Sequence, residues 1–166
     1  MSFDIRPELL GESYRDPELG FSFSLPKGTH AVPDSVQDLV QQNLTDMLFS
    51  DTLLVLPKKF FLNHEQNVLC IVSHLPQVSA EPENIAAYCA AIEDKLAGSD
   101  FQHGNYRYRD FHVFQFRAIF KEFVLFKLFL PQQNEKSFQL DYILPKQYYN
   151  ETIKAVESSI GSLTKI

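Results

Sequence analysis

Between Tyr106 and Leu144 three apolar, aromatic-rich runs follow one another with only short polar breaks. Phe114, Phe116, Ala118 and Phe120 alternate with Gln115, Arg117 and Ile119, and Val124, Phe126, Leu128 and Leu130 alternate with Leu125, Lys127 and Phe129. In the third run Phe138, Leu140, Tyr142 and Leu144 alternate with Gln139, Asp141 and Ile143. Side chains on a strand point to opposite faces with period two, so each run offers one continuous apolar face and one mixed face. The links, Lys121-Glu122 and residues 131–136, are too short for a crossover. Neighbouring runs are therefore antiparallel, and this stretch reads as the middle of a sheet.

The rest of the chain supplies what such a sheet needs to be covered. Phe21, Phe23 and Leu25 alternate with serines after turn chemistry at Asp16-Pro17 and Gly20, which predicts a strand with one buried face. A capping-box spacing, Asp34 to Gln37, opens a helix whose apolar stripe runs Val36, Leu39, Val40, Leu44, Met47 and Leu48. Thr52 to Leu62 is strand-like but holds Pro57, which belongs at an edge or a bulge because it has no N–H to donate, with Lys58 and Lys59 guarding that edge. A polar turn at 63–67 leads into the run from Val68, completing a hairpin. Pro82 and Gly98 bracket a helix with Ile85, Tyr88, Cys89, Ile92 and Leu96 on its buried stripe. The last helix, Gln147 to Thr164, buries Tyr149, Ile153, Val156, Ile160 and Leu163. Residues 1–13 show no period and carry Pro7 and Gly11, so they read as an N-terminal arm, and 14–166 as one domain. The sheet is entered through Gly104-Asn105. The expected fold class is α+β: an antiparallel sheet of about six or seven strands with the helices at Pro82–Gly98 and Gln147–Thr164 covering its two faces.

Composition sets limits on partners. With 45% hydrophobic residues, 15 Phe and no Trp, a 166-residue chain can bury a Phe-based core without staples. The formal charge of −6 works against a phosphate backbone, so nucleic acid is not the expected partner. No basic start with an apolar stretch behind it opens the chain and no apolar run is long enough to span a bilayer, so the expected location is cytoplasmic, with Cys70 and Cys89 as reduced thiols. The sequons at Asn43 and Asn150 fall within predicted helices and read as chance matches.

Catalytic constellations are hard to find. The five histidines are dispersed, with no H-x-x-x-H or C-x-x-C pair to start a metal site, so no metal and no cofactor is expected. Ser73 and His74 are strand neighbours and face opposite ways; Glu93 and Asp94 are adjacent on a helix and do not converge. Asp110 and His112 are spaced to share a strand face, which reads as a polar surface pair. No catalytic residue is assigned. The most suggestive pattern is Tyr106-Arg107-Tyr108-Arg109, which on an extended strand puts two Tyr on one face and two Arg on the other. Aromatics and Arg are enriched in protein-binding hot spots, so these four are the candidate partner-binding residues. The structural alternative is that the tyrosines close the end of the core and the arginines pair with surface carboxylates.

The chain resembles the PsbP-like superfamily. The likeness rests on the opening Tyr14-Arg15-Asp16 to Gly20-Phe21-Ser22-Phe23-Ser24-Leu25-Pro26, on the run Asn67 to Pro76 leading to the helix at Ser79 to Gly98, and on the strand Ser137 to Leu144 followed by a helix ending Ser158-Ser159-Ile160. It departs from the family pattern where a Trp usually follows the first strand, with His30 in that neighbourhood here. The resemblance implies an α/β/α sandwich and a non-enzymatic docking or adaptor role, one version being a bacterial secretion chaperone that shelters an apolar segment of a client. The rival expectation is a small-ligand-binding protein or an enzyme whose site assembles only in three dimensions, around Asp110, His112 or Arg109.

Overall fold

The three alternating runs form adjacent antiparallel strands, as their short links require. The computed structural model describes residues 3–48 and 55–166, with side chains except at 43–48. Among these, the chain order is β1 (Leu10–Asp16), β2 (Phe21–Pro26), β3 (His30–Ala31), α1 (Asp34–Leu48), β4 (Leu56–Asn63), β5 (Val68–His74) and α2 (Pro82–Leu96). There follow β6 (Asp100–Tyr108), β7 (Phe111–Ile119), β8 (Phe123–Leu130), β9 (Phe138–Pro145), α3 (Tyr149–Gly161) and β10 (Thr164–Lys165). A seven-stranded antiparallel sheet has the order β3-β4-β5-β9-β8-β7-β6, and a small sheet has the order β1-β2-β10.

One face of the large sheet is covered by α3 and the small sheet. Phe126, Leu128, Leu140, Tyr142 and Leu144 pack there against Phe21, Phe23, Val156 and Ile160. Phe21 stacks on Phe138 with ring centroids 3.9 Å apart. The other face carries α2, where Tyr88, Ile92 and Leu96 meet Ile71, Leu125 and Phe129. Each fully buried Phe or Leu contributes about 1.5–3 kcal/mol relative to exposure, so these two layers hold the sheet in place. Because β8 and β9 are central and covered on both sides, their mixed face is core too: Lys127, Gln139 and Asp141 are buried.

Short polar side chains let α3 approach β2 closely. Ser159 Oγ donates to Ser24 O at 2.6 Å, and Ser24 N–H donates to Ser162 Oγ at 2.7 Å. At the β1–β2 turn, buried Asp16 accepts the Leu19 N–H at 2.9 Å and the Tyr14 hydroxyl at 3.0 Å. Lys58 Nζ adds contacts of 2.8 Å to Asp16 and 2.9 Å to Glu18. Burial alone would raise the Asp16 carboxyl, but hydrogen bonds from Lys58, Leu19 and Tyr14 outweigh it and hold the group below its usual range.

Several sequence-based expectations change. Residues 1–13 are not a loose arm over their described part: β1 begins at Leu10, Arg6 N–H donates to Ser158 Oγ at 3.1 Å, and Phe3 packs edge-on to Tyr108 with centroids 4.8 Å apart. Single-strand periodicity did not reveal β1 because its pattern is mostly exposed. Pro57 does sit at a register shift in the β4–β5 pair, while β3 covers only the Phe61–Leu62 end of β4. The α1 stripe is only partly buried where its side chains are described: Val36 is 40% exposed and Leu39 60%, while Val40 packs half-buried against the α2-side core. Leu44, Met47 and Leu48 of that stripe, and the start of the strand expected from Thr52, lie outside the described side chains or residues. Gly104-Asn105 is the middle of β6, not its entrance.

Candidate functional site

The β6 strand is the last in the large sheet, and no described strand pairs with its outer side. It is nine residues long and exposed over most of them. A terminal strand presents a row of backbone N–H and C=O groups with no partner, and proteins commonly blunt such edges with short strands, Pro or bulges. β6 is long and has neither Pro nor a bulge, since it pairs with β7 in unbroken register from Asp100↔Ile119 to Tyr108↔Phe111, and its only charged residues are Asp100 and Arg107 near its two ends.

Two hollows flank this edge, one on each face of the sheet, and His103, Gly104 and Asn105 border both. On the α2 side a groove of about 520 Å³ runs between α2 and the β6–β7 pair, floored by Phe114 and Phe116 and walled by Ile85, Ala86 and Cys89. His103 marks its rim, stacked on Phe116 at 5.8 Å between centroids and 3.5 Å from the Glu93 carboxylate. Burial and then the nearby Glu93 charge push the Cys89 thiol up to about 11, so it lines the groove as an apolar, protonated group. On the α3 side a hollow of about 460 Å³ has mixed walls, with Gln102, Gln115, Arg117 and Glu157 beside Phe126 and Ile153.

The candidate residues separate in this frame. Tyr106 donates to Gln115 Oε1 at 2.9 Å, and burial, with a smaller contribution from Tyr108, pushes its hydroxyl up to about 12. The Tyr108 hydroxyl donates to Gly161 O at 2.6 Å and Arg109 Nη1 to Leu163 O at 2.9 Å. These two close the C-terminal end of α3, where the last carbonyls have no helical partner and the helix dipole favours a cation. Arg109 itself lies in the β6–β7 turn with φ of 50° and stacks on Tyr108 at 5.3 Å from the ring centroid. Tyr106, Tyr108 and Arg109 therefore have intramolecular partners, and Arg107 remains exposed on the α2 face of β6 opposite His112.

The three residues of the rival expectation do not converge. His112 Nε2 contacts Asn105 Oδ1 at 3.1 Å, Asp110 is in the turn, and Arg109 points to the end of α3. Desolvation first, and then Arg107, lower the His112 pKa. Among the described residues no group of three or more His, Cys, Asp or Glu side chains is placed to hold a metal ion.

Sequence reasoning missed the strongest polar cluster, which is buried beneath α2. Lys127 Nζ meets Asp141 Oδ1 at 2.7 Å, Gln139 Nε2 donates to Asp141 Oδ2 at 2.9 Å, and the Tyr88 hydroxyl donates to Gln139 Oε1. Burial raises the Asp141 carboxyl, with Lys127 and Gln139 opposing. The signal was there: one cation and one anion among the apolar residues of two strands that the short link makes neighbours. It also gave no part in a site to Gly104, Ala86 or Arg117, which border the two hollows beside β6.

No protein-family model matches the chain, and no curated protein does so either. The solution structure of cyanobacterial PsbP (CyanoP) from Synechocystis sp. PCC 6803 matches with a TM-score of 0.54, over 95% of this chain and 94% of that one, at 11% sequence identity. The fold is PsbP-like. An identity this low carries the PsbP-like architecture and nothing about activity. Among the described residues of this PsbP-like chain, no helix is long and apolar enough to cross a membrane.

Proposed function

We propose that the protein is a non-enzymatic docking domain that takes an extended segment of a partner protein along the outer edge of β6. The observation that carries this reading is a nine-residue terminal strand with regular pairing on one side and no described partner on the other, bordered by an apolar groove. Strand addition draws affinity from main-chain hydrogen bonds and specificity from pockets for alternate side chains, and β6 offers both. The groove floored by Phe114 and Phe116 supports an adaptor that shelters an apolar segment; a cytoplasmic, bacterial secretion setting belongs to the same proposal on the sequence reading alone. The docking edge is the strand that carries Tyr106, Arg107 and Tyr108, but the contact surface moves toward Gln102–Asn105, because the tyrosines are engaged internally.

The test is capture of partners from native lysate by the tagged protein and by an Ala86→Trp variant. Ala86 is exposed and lines the groove, so the larger ring fills it without entering the core. A stoichiometric protein retained by the wild type and lost by the variant is the expected result. A partner held equally by both places docking elsewhere, and no partner at any salt concentration removes the reading.

A further inference from the structure

Gly104 has no conformational reason to be glycine. Its φ is not positive, and a Cβ built there meets no atom within 4 Å. What the missing side chain does is leave an opening. Gly104 pairs with Gln115, so its side chain would point to the α3 face, where Gln115 and Arg117 border the second hollow. Flanking positions on that face, Gln102 and Tyr106, carry full side chains, so Gly104 leaves a gap between them where the hollow borders the strand edge.

Behind that gap Arg117 is incompletely satisfied. Its Nη2 donates to Gln102 Oε1 at 2.9 Å, but its Nε is buried with no hydrogen-bond partner among the described residues. The other charged wall residue, Glu157, has its own cation in Lys154 at 3.4 Å. A buried donor left unpaired is costly, and a guanidinium edge matches a carboxylate in a fork of two parallel bonds.

We propose that the segment added to β6 carries an Asp or Glu whose side chain passes over Gly104 to Arg117, with apolar residues on either side of it in sequence that enter the groove beneath α2. Alternation dictates the arrangement: in an extended chain consecutive side chains go to opposite faces, and the two hollows lie on opposite faces at the same three residues of β6. Strands lie about 4.8 Å apart, so the added strand is roughly 10 Å from β7, a span that an acidic side chain and Arg117 bridge together. The partner's recognition element is thus apolar–acidic–apolar. This rests on the docking reading above and specifies its chemistry.

A displayed library of linear peptides, selected on the wild-type protein and then measured against Gly104→Leu, Arg117→Gln and Ala86→Trp, tests it. A Cβ at 104 meets no atom within 4 Å, so leucine there starts without a clash, and the thermal transition of each variant reports whether the fold is kept. Selected peptides are expected to share an acidic residue between two apolar ones. They should lose at least about tenfold in affinity on Gly104→Leu, on Arg117→Gln, and on changing the acidic residue to its amide. Peptides that lose affinity on Ala86→Trp yet lack the acidic residue, or ignore both Gly104→Leu and Arg117→Gln, overturn this inference and leave docking at β6 standing. Peptides indifferent to all three variants, or no enrichment at all, overturn both.

Discussion

Lys127 Nζ lies 2.7 Å from Asp141 Oδ1 across the β8–β9 pair, with the two side chains 4% and 0% exposed. These strands are apolar on both faces, so a slip by one residue would still bury hydrophobic side chains. It would, however, leave a charge in the core without its partner, which makes the pair a device for fixing the register. Lys127→Met should cost about 3–5 kcal/mol in urea unfolding, because it strands Asp141, whereas Lys127→Met with Asp141→Leu should recover most of that loss. Single variants that cost less than about 1 kcal/mol, as a surface site would, contradict a buried and coupled pair.

The Asp16 hub gives a pH dependence with a definite sign. Its carboxyl titrates below the usual Asp value in the folded protein, so the associated stability is fully present above the unfolded value and is lost as pH falls through the folded one. Below pH of about 4 the wild type should therefore lose stability more steeply than Asp16→Asn. At neutral pH the same variant should be less stable by about 1–3 kcal/mol, through loss of the charged acceptor for Lys58 and Leu19. Parallel acid profiles for the two proteins would show that Asp16 carries no such linkage.

Gly161 is where the N-terminal segment crosses α3. A Cβ there would lie 2.7 Å from Phe3 Cβ and 2.9 Å from Ile5 Cγ1, so Gly161→Ala must displace those residues. The expected loss is about 1–3 kcal/mol, and once residues 1–6 are deleted the Gly161→Ala change should no longer lower stability. An undiminished effect of the substitution after the deletion would mean that the clash is not with this segment.

The core assignment is tested by truncating one Phe on each face of the sheet. Phe116 packs on the α2 side and Phe126 on the α3 side, with 2% and 6% exposure. Each Phe→Ala change should destabilise by about 3–5 kcal/mol in chemical unfolding. A small loss at one of the two would show that its face of the sheet is open.

What was legible in the sequence follows from periodicity and punctuation. The meander from β7 to β9 was readable because alternation and short links fix both face and direction, and α2 because Pro82 and Gly98 bracket a regular stripe. Pro57 announced its bulge because a missing N–H has few places to go. The two-residue β3 and β10 left no period to detect, and β1 shows too little burial to produce one. The site was harder for a different reason. Tyr106 to Arg109 have the residue types of a docking patch, but only the fold shows that Tyr108 and Arg109 are spent on the end of α3. Conversely, Gly104 and Arg117 lie on the two arms of one hairpin, but their place beside a free edge is visible only once β6 is known to be the last strand of the sheet.

The central claim, that β6 accepts an extended segment of another protein along its outer edge, is tested most directly by nuclear magnetic resonance on the isotope-labelled protein with a peptide selected on it. Strand addition predicts intermolecular backbone contacts between the peptide and successive residues of Asp100–Tyr108, together with slowed amide exchange confined to the outward-facing groups of β6. Contacts that map to α1 or to the small sheet instead, with β6 amides exchanging as fast as in the free protein, would contradict it.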